Sequence, residues 1–391
     1  MGLPANTRHA DIIVIGAGVL GTFHAYFAAR KGYKVLLLER NTVPGDASTR
    51  NFGMQMQTIV ATNSPWAQFA LDSREIYQTI QQKSDISFEQ KGSLYLAATE
   101  VERQVLQEFA AQFAETYHCT FIDAAEVQRR YPFVQDSYCT GALYSWEDCM
   151  LEPRVTMQQV IEYATRTEAI EYVPQTQVVE VTTSSQGCVV KDAHGDLFTA
   201  DQVFVCNGTQ YQTLFPKLFQ QSGLQLCKLQ MLRTVAQPRQ ILPHSILSSH
   251  SIRRYPAFTA CPSYHLLAEE QRDDAELQKY GIHMLARQAE DGSVVLGDSH
   301  EYIPFSEVAR DTFEYTNWHI NALLIQYAQS MLALPTWDIQ VMWNGYYMLH
   351  PDLPIYTHTL EDKIHIVTGI GGKGMSTGPG FARQYIAERL H

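Results

Sequence analysis

The chain has 391 residues, a formal net charge of −12 at pH 7, 45% hydrophobic residues and 18% charged residues. A chain of this length and hydrophobicity suits a two-domain globular enzyme and excludes a largely disordered protein. The acidic balance disfavours a general nucleic-acid-binding protein, which needs a basic face, but it allows a local basic pocket.

Seven cysteines are spread through the chain without a CxxC pair. This odd, dispersed set predicts reduced thiols in a cytoplasmic protein and gives no signature of a disulfide framework or a metal site. The apolar stretch at residues 12–20 is short and is interrupted by Gly16 and Gly18. We therefore expect neither a signal peptide nor a membrane span.

Apolar periodicity and capping signals predict the elements of the N-terminal half. In chain order they are a strand at Asp11–Ile15, a helix from about Val19, a strand at Lys34–Leu38, a helix opening at Ser64 and Pro65, a helix from the capping-box pair Thr99 and Glu102 to about Tyr117, a helix at about Pro153–Thr165, and strands at Gln177–Val181, Cys188–Asp192, Leu197–Thr199 and Gln202–Cys206. The opening strand–helix–strand passage is typical of a βαβ unit.

The C-terminal half is predicted to begin with a strand-rich stretch from Leu224 to Leu296. The clearest elements are strands at Leu226–Val235 and Ser293–Leu296, a helix near Asp311–Met331, strands near Ile339–Tyr347 and Ile364–Val367, and, after a glycine-rich loop, a last helix from about Pro379.

The clearest functional motif is Gly-Ala-Gly-Val-Leu-Gly at residues 16–21, which follows the first strand and opens the first helix. Gly16 permits the tight turn, Gly18 lets the backbone approach a pyrophosphate, and Gly21 lets the helix pack on the strand. Glu39 ends the second strand, where an acidic side chain binds ribose hydroxyls. The motif predicts a dinucleotide at the helix N-terminus but does not by itself separate FAD from NAD.

Two later segments distinguish the two cofactors. Residues 200–208, Ala-Asp-Gln-Val-Phe-Val-Cys-Asn-Gly, resemble the second nucleotide-contacting segment of two-domain flavoproteins. Residues 369–375, Gly-Ile-Gly-Gly-Lys-Gly-Met, resemble their C-terminal flavin loop. In that loop, glycine lets backbone amides approach the flavin, and the following helix directs its positive end toward the ring. The three motifs together predict FAD.

These motifs resemble those of the D-amino-acid oxidase superfamily, in its glycine oxidase and sarcosine oxidase branch, over essentially the full chain. Within that superfamily the chain most resembles the phosphonate-associated FAD oxidoreductases. The segments that carry this resemblance are Ala47–Gly53, Cys227–Met231, Ile252–Tyr255, Gly297–Tyr302 and Trp343–Gly345.

The resemblance implies an α/β fold, with a Rossmann-like FAD-binding domain and a substrate domain built on a mainly antiparallel sheet. We expect a discontinuous FAD domain at residues 8–85, 146–222 and 336–391, and a substrate domain at 86–145 and 223–335. No cysteine lies in the C-terminal flavin loop, so FAD is expected to be dissociable. The expected FAD-binding residues are Gly16, Gly18, Val19, Leu20, Gly21, Glu39, Arg40, Ser48, Thr49, Arg50, Asn51, Val178, Asn207, Gly208, Gly345, Gly371, Gly372, Lys373, Gly374 and Met375.

One departure from the family pattern concerns the substrate. In amino-acid oxidases of this fold, an arginine two residues after the Trp-x-Gly glycine clamps the substrate carboxylate. Tyr347 stands at that position here, so a plain α-amino acid is disfavoured, and Tyr346 and Tyr347 are expected either to wall the pocket or simply to pack. Arg253 and Arg254 are the predicted anion-binding pair, of which only one faces the pocket if the segment is extended. A solvated surface pair is the alternative.

The expected catalytic residues are Arg50, His300, Lys373 and Tyr347. Arg50 is expected to stabilise the reduced flavin or to bind substrate, with a structural salt bridge as the alternative. His300 is expected to contact the amine or the anion, unless it is a structural hydrogen-bonding residue. Sarcosine oxidases carry an oxygen-activating lysine near the position of Val295, so Lys373 is the alternative source of positive charge, unless it points to solvent.

The family implies cleavage of N-substituted 2-aminoethylphosphonates to phosphonoacetaldehyde and an amine, with O2 as the expected electron acceptor. A neutral amine transfers hydride from its α-carbon to the flavin, and water hydrolyses the iminium that remains. The alternatives are oxidation of an N-methyl amino acid, whose carboxylate the same arginines bind, and a non-catalytic electron-transfer module. An oxidase of modified tRNA shares the fold, but the acidic charge argues against it.

Overall fold

The computed structural model describes residues 7–305, 307 and 314–390. Its strands are β1 (Arg8–His9), β2 (Ile12–Ile15), β3 (Val35–Leu38), β4 (Met54–Gln55), β5 (Phe88–Glu89), β6 (Ser93–Ala97), β7 (Cys119–Asp123), β8 (Gly141–Ser145), β9 (Cys149–Leu151), β10 (Ile170–Val173), β11 (Val178–Ser184), β12 (Gly187–Asp192), β13 (Leu197–Ala200), β14 (Gln202–Val205), β15 (Gln225–Ala236), β16 (Ser245–Leu247), β17 (Leu285–Gln288), β18 (Ser293–Gly297), β19 (Glu301–Pro304), β20 (Ile339–Leu349), β21 (Tyr356–Leu360) and β22 (Ile364–Thr368). Its α-helices are α1 (Val19–Arg30), α2 (Pro65–Gln81), α3 (Glu100–Tyr117), α4 (Ala124–Arg130), α5 (Pro153–Thr167), α6 (Pro216–Gln221), α7 (Ser249–Arg254), α8 (Leu266–Glu269), α9 (Ala275–Lys279), α10 (Trp318–Met331) and α11 (Gly374–Arg389).

A six-stranded sheet carries the N-terminal glycine motif, in the strand order β10-β3-β2-β14-β22-β21. The first five strands pair in parallel, and β21 pairs antiparallel with β22. Alternate residues of β2 enter two cores: Ile12 and Val14 pack with helices, whereas Ile13 and Ile15 pack against strands β11 to β13. Burial on both faces explains the uninterrupted apolar runs of β2, β3 and β22.

A nine-stranded sheet lies beyond the ends of these strands, in the order β19-β15-β18-β17-β16-β6-β8-β7, with β20 also paired to β15. Its pairs are antiparallel except for β16 with β6. The long β15–β20 ladder sets Leu229 opposite Gly345 and Cys227 opposite Tyr347. The predicted α/β fold with a second, mainly antiparallel sheet is confirmed, and we propose the domain boundaries given above for its two parts.

Local capping chemistry determines where several helices begin. Ser64 Oγ accepts a hydrogen bond from Trp66 N at the start of α2, and Thr99 and Glu102 form the complete capping box of α3, as predicted. The rings of Trp66 and Phe381 stack at 5.7 Å and fasten α11 to α2. Among the described residues, no helix is both long and apolar enough to cross a membrane.

Three predictions about elements were wrong. The last helix begins at Gly374 rather than near Pro379, which lies inside it, because the glycine-rich loop runs directly into the helix. Helix α10 begins at Trp318; residues 311–313 of the predicted helix lie outside the described residues, and residues 314–317 are not helical. Residues 249–280 form short helices instead of strands. Ser249 to Ile252 are all buried, so the polar residues of helix α7 do not mark a solvent-exposed face.

Candidate active site

Two adjoining cavities lie at the carboxyl ends of the parallel strands, where α/β sheets bind their ligands. Their volumes are about 530 Å³ and about 100 Å³. The residues that line both are Gly18, Ala47, Ser48, Cys206 and Gly208. The shared lining makes one elongated space, which runs from Glu39 to the nine-stranded sheet.

The glycine motif is required by close packing between α1 and strand β14. Gly16 has φ +94°, and a Cβ there would lie 2.4 Å from the carbonyl oxygen of Cys206. A Cβ on Gly21 would lie 1.8 Å from the carbonyl oxygen of Gly16. Both approaches exclude a side chain, so the backbone amides of the first turn of α1 stay accessible at the cavity wall.

Glu39 lies at the end of the smaller cavity, opposite the nine-stranded sheet. Its side chain is buried, Oε2 accepts a hydrogen bond from Ala17 N at 2.9 Å, and Oε1 accepts one from Asn41 N at 3.0 Å. Arg40 follows it and forms an ion pair with Asp46 at 2.5 Å. The carboxylate is thus held beside the glycine motif, where it can accept the ribose hydroxyls of a dinucleotide.

Replacing Glu39 with alanine should weaken FAD binding by about 1–3 kcal/mol, because charge-assisted hydrogen bonds to the ribose are lost. The measurement is a fluorescence titration of the apoprotein with FAD. Glu171→Ala is the matched control, because Glu171 lies on the adjacent strand β10 and forms an exposed pair with Arg8. Equal FAD affinities for the two variants would remove Glu39 from the site.

The loop at residues 47–53 forms one wall of the larger cavity. Ser48 Oγ accepts a hydrogen bond from Val19 N at 2.9 Å, and the Asn51 side chain bonds within the loop to Ala47 O and Gly53 N. Arg50 lines the cavity, is exposed, and forms no ion pair with any described residue. The structural salt bridge considered for Arg50 is therefore not formed within the described part of the chain.

The C-terminal loop faces the same cavity from the six-stranded sheet. Gly371 has φ +68°, and α11 begins at Gly374, so its N-terminus is directed toward the cavity. Lys373 Nζ donates a hydrogen bond to Ile370 O at 2.8 Å and lies 4.9 Å from the ring centroid of Trp66. Burial lowers the pKa of Lys373 to about 8. Its ammonium group therefore contacts the protein, and the side chain is partly buried.

The structure brings most of the predicted FAD-binding residues together. In addition to the residues described above, those lining one of the cavities are Leu20, Val178, Asn207, Gly208, Gly345, Gly372 and Met375. Gly21 and Thr49 line neither cavity: Gly21 packs against Gly16, and buried Thr49 donates its hydroxyl to Asp46 O at 3.1 Å. The elongated space has Glu39 at one end and the glycine-rich loop before α11 at the other. This arrangement fits FAD.

Arg254 lines the larger cavity on the side of the nine-stranded sheet. One guanidinium nitrogen donates a hydrogen bond to the Tyr302 hydroxyl at 2.9 Å. Among the described residues, no carboxylate forms an ion pair with Arg254. Its remaining N–H donors are thus available to a ligand in the cavity.

Arg253 does not line the cavity. The prediction of an extended backbone for Arg253 and Arg254 was wrong, because both residues lie in helix α7. Its guanidinium pairs with Glu102 at 2.9 Å and also binds Glu270 and the carbonyl oxygen of Leu267. Consecutive helical residues also point in different directions, so one arginine of the pair still reaches the pocket. Arg253 is a structural residue, contrary to its assignment as a substrate ligand.

Tyr346 and Tyr347 both line the larger cavity, as does Tyr302 at its more exposed edge. Tyr347 is buried, and its ring lies 6.3 Å from that of His300. The Tyr346 hydroxyl donates a hydrogen bond to Glu314 O at 3.1 Å. Aromatic walls of this kind restrict access of water to the cavity.

His300 lines the cavity together with two residues that the sequence reasoning missed, His283 and Asp298. The His300 Nδ1–H donates to Gly281 O at 3.2 Å, and its ring stacks on His283 at 5.1 Å. Burial and the charge of Arg254 lower the pKa of both histidines well below the usual value, so both are neutral at pH 7. Sheet pairing brings the two missed residues together: His283 precedes β17 and Asp298 follows β18, and Leu285 pairs with Gly297.

The family described as FAD dependent oxidoreductase (DAO) matches residues 11–389 of the chain. The glycine oxidase of Geobacillus kaustophilus (strain HTA426) is 25% identical over 212 residues, which are 52% of this chain and 55% of the relative. The chain thus aligns with about half the length of this curated relative.

Solved structures show the same fold over nearly the whole chain. Glycine oxidase from Geobacillus kaustophilus has a TM-score of 0.73 at 17% identity, covering 98% of this chain and 96% of that one. L-α-glycerophosphate oxidase from Mycoplasma pneumoniae, which has FAD bound, has a TM-score of 0.77 at 14% identity, with coverages of 98% and 96%. Iminodiacetate oxidase from Chelativorans sp. BNC1 has a TM-score of 0.73 at 15% identity, with coverages of 97% and 95%.

Proposed function

The chain belongs to the DAO family of FAD-dependent oxidoreductases, and from this premise we propose that it oxidises the C–N bond of a small anionic amine. The favoured substrate is an N-substituted 2-aminoethylphosphonate, which would give phosphonoacetaldehyde and an amine. When bound, FAD supplies the acceptor for the hydride. The residues that would hold it are the glycine motif, Glu39 and the C-terminal loop at 369–375.

The single observation that carries the proposal is Arg254 in the wall of the larger cavity. A partly buried guanidinium that forms no ion pair with any described carboxylate is unfavourable unless a ligand supplies the negative charge. Its planar N–H groups match the oxygens of a phosphonate or a carboxylate. The anion would thus be bound on the side of the cavity that faces the nine-stranded sheet.

Two observations favour a phosphonate over an α-carboxylate. Tyr347 replaces the arginine that clamps a carboxylate next to the amine in amino-acid oxidases of this fold. Relatives with this fold include enzymes named for iminodiacetate and for α-glycerophosphate, so the fold accommodates both secondary amines and phosphate esters.

The residues of the cavity wall would position the substrate for hydride transfer. Arg254 would fix the anion, while Tyr302, Tyr346 and Tyr347 would exclude water around the reacting C–H bond. Water then hydrolyses the iminium product to the aldehyde and the released amine.

The test is a product assay on a small amine panel, with trapping of the aldehyde. The panel contains N-methyl-2-aminoethylphosphonate, 2-aminoethylphosphonate, sarcosine and glycine. We expect the highest kcat/KM for the N-methyl phosphonate and the lowest for glycine. A preference for sarcosine would favour the second candidate, oxidation of an N-methyl amino acid with its carboxylate on Arg254. Absence of product from every amine would leave the electron-transfer alternative.

Lys373 is expected to promote reaction of the reduced enzyme with O2, which we propose as the acceptor. Its positive charge beside the C-terminal loop would stabilise the developing superoxide. Lys373→Met should slow reoxidation about 10- to 100-fold. In the wild type, reoxidation should also slow as pH rises through about 8, because burial lowers the pKa of Lys373 to about 8 and its charge is lost above that pH.

Stopped-flow reoxidation of the reduced enzyme measures both effects. Lys363→Met is the control, because Lys363 lies outside both cavities and donates to Ser184 O at the surface. Equal reoxidation rates for the two variants would remove Lys373 from the oxygen reaction.

A further inference from the structure

Asp298 is the one carboxylate among the described residues that line the larger cavity. The other charged side chains of that lining are cationic: Arg50, Arg254 and Lys373. These cations suit the anionic end of the proposed substrate, but an amine at neutral pH enters as an ammonium ion. A small amine resembles the lysine side chain, whose pKa is about 10. The site therefore needs a negative group for the other end of the substrate.

Asp298 lies in the cavity wall, and one of its two carboxylate oxygens has no hydrogen-bond donor among the described residues. Its exposed fraction is 7%, and Oδ1 accepts no hydrogen bond although it is buried. His283 Nε2 lies 3.2 Å from Oδ1, and His300 Nδ1 lies 3.9 Å from it. Buried acceptors are rarely left without a donor, so the Asp298 carboxylate has unused hydrogen-bonding capacity for a donor in the cavity that it lines.

We propose that Asp298 binds the ammonium group of the substrate and accepts its proton before the C–N bond is oxidised. This proposal rests on the proposed amine oxidation. The substrate class is thereby narrowed to zwitterions, with the anion on Arg254 and the ammonium on Asp298. Amides and quaternary ammonium ions would be excluded, because they cannot yield a free amine in this way.

The proton transfer leaves all atoms and electrons accounted for. The N–H bond of the ammonium breaks, its electron pair stays on nitrogen as the lone pair, and a new O–H bond forms on the Asp298 carboxylate. The neutral amine can then lose hydride from its α-carbon. The proton on Asp298 returns to solvent water after the product leaves, so the residue is regenerated without any further reagent.

The electrostatic surroundings of Asp298 suit this exchange. Burial raises its pKa to about 7, and the charge of Arg254 on α7 opposes that increase. The other groups that face it are His283, His300, Tyr255 and Cys227, which are neutral at pH 7. The carboxylate therefore forms as pH rises through about 7, which places proton acceptance near neutral pH.

The test compares Asp298→Asn with the wild type on the best amine of the panel, as a profile of kcat/KM against pH. We expect wild-type kcat/KM to rise through about pH 7. Asparagine cannot accept the proton, so the variant should be on the order of 100- to 1000-fold slower at pH 7. The difference in kcat/KM between the variant and the wild type should shrink toward pH 10, where the free amine is already present in solution.

Asp148→Asn is the matched control. Asp148 is also buried, and burial raises its pKa to about 6, but it bonds to Ser93 and Tyr95 and lies outside both cavities. We expect this variant to keep the wild-type pH profile. A pH profile shifted equally by both substitutions would overturn the assignment to Asp298.

Thermal unfolding gives a readout that does not depend on turnover. Because the folded-state pKa of Asp298 lies above its usual value, the charged carboxylate destabilises the folded chain as pH rises through about 7. Asp298→Asn should therefore raise Tm more at pH 8.5 than at pH 6. A purely structural carboxylate would instead lower Tm on replacement at both pH values.

The outcomes separate the two proposals. If the wild type oxidises no amine, the proposed function fails. If it does and Asp298→Asn retains its rate and profile, the proton-acceptor proposal alone is overturned. A stoichiometric metal ion present in the wild type and lost from Asp298→Asn would also overturn it, because the carboxylate would then serve the metal.

Discussion

Replacing Arg254 with alanine is expected to lower kcat/KM for the best anionic amine by about 30- to 1000-fold, or about 2–4 kcal/mol of transition-state binding. The reason is that Arg254, at the end of α7, lines the cavity on the side of the nine-stranded sheet and forms no ion pair among the described residues. Most of the loss should appear in KM, because the anion is held equally before and during hydride transfer. Steady-state kinetics measures the change, and the FAD content should stay at the wild-type level.

Arg253→Ala is the matched control for this prediction. It removes the same side chain one residue earlier, but Arg253 binds Glu102 and Glu270 outside the cavity. We expect nearly wild-type kcat/KM with reduced thermal stability, because buried Glu102 loses one of its partners. An amine without the anionic group should lose little further rate in Arg254→Ala. The anion site would have to be placed elsewhere if both variants matched the wild type.

Replacing Gly18 with valine is expected to abolish FAD retention. Gly18 lines both cavities where they join, and a Cβ there would already lie 3.0 Å from Ser48 Oγ. A branched side chain would fill the space that the pyrophosphate needs beside the first turn of α1. The measurement is the ratio of FAD to protein in the purified variant.

Gly378→Ala provides the control for a glycine replaced in the same part of the fold. It lies inside α11, where a Cβ would make an ordinary contact of 3.5 Å with Val19 Cγ2. Alanine also favours the helix. This variant should retain FAD, and a full complement of FAD in Gly18→Val would show that the pyrophosphate binds elsewhere.

The sequence predicted those parts of the molecule that local chemistry determines. Ser64 and the pair Thr99 and Glu102 mark helix starts because their side chains bond to backbone groups only a few residues away. The glycine motif is equally local, since its spacing follows from the turn between β2 and α1. The cofactor end of the site could therefore be located without the structure.

The substrate end depends on contacts between distant parts of the chain. His283 and Asp298 meet because β17 and β18 pair with Leu285 opposite Gly297, and no local pattern fixes that register. The sequence signal that would have located them is a histidine just before strand β17 together with an acidic residue just after strand β18. The helix at Arg253 and Arg254 was missed because its polar residues are buried against the neighbouring sheet.

Anaerobic titration of the wild-type holoenzyme with N-methyl-2-aminoethylphosphonate tests the central claim most directly. The flavin absorbance band is followed in the absence of any other electron acceptor. Complete bleaching at saturating amine is predicted, with a much smaller effect of the same amine on Arg254→Ala at equal concentration. A band that stays unchanged for this amine and for sarcosine, in protein carrying its full complement of FAD, would contradict the assignment of this site to anionic-amine oxidation.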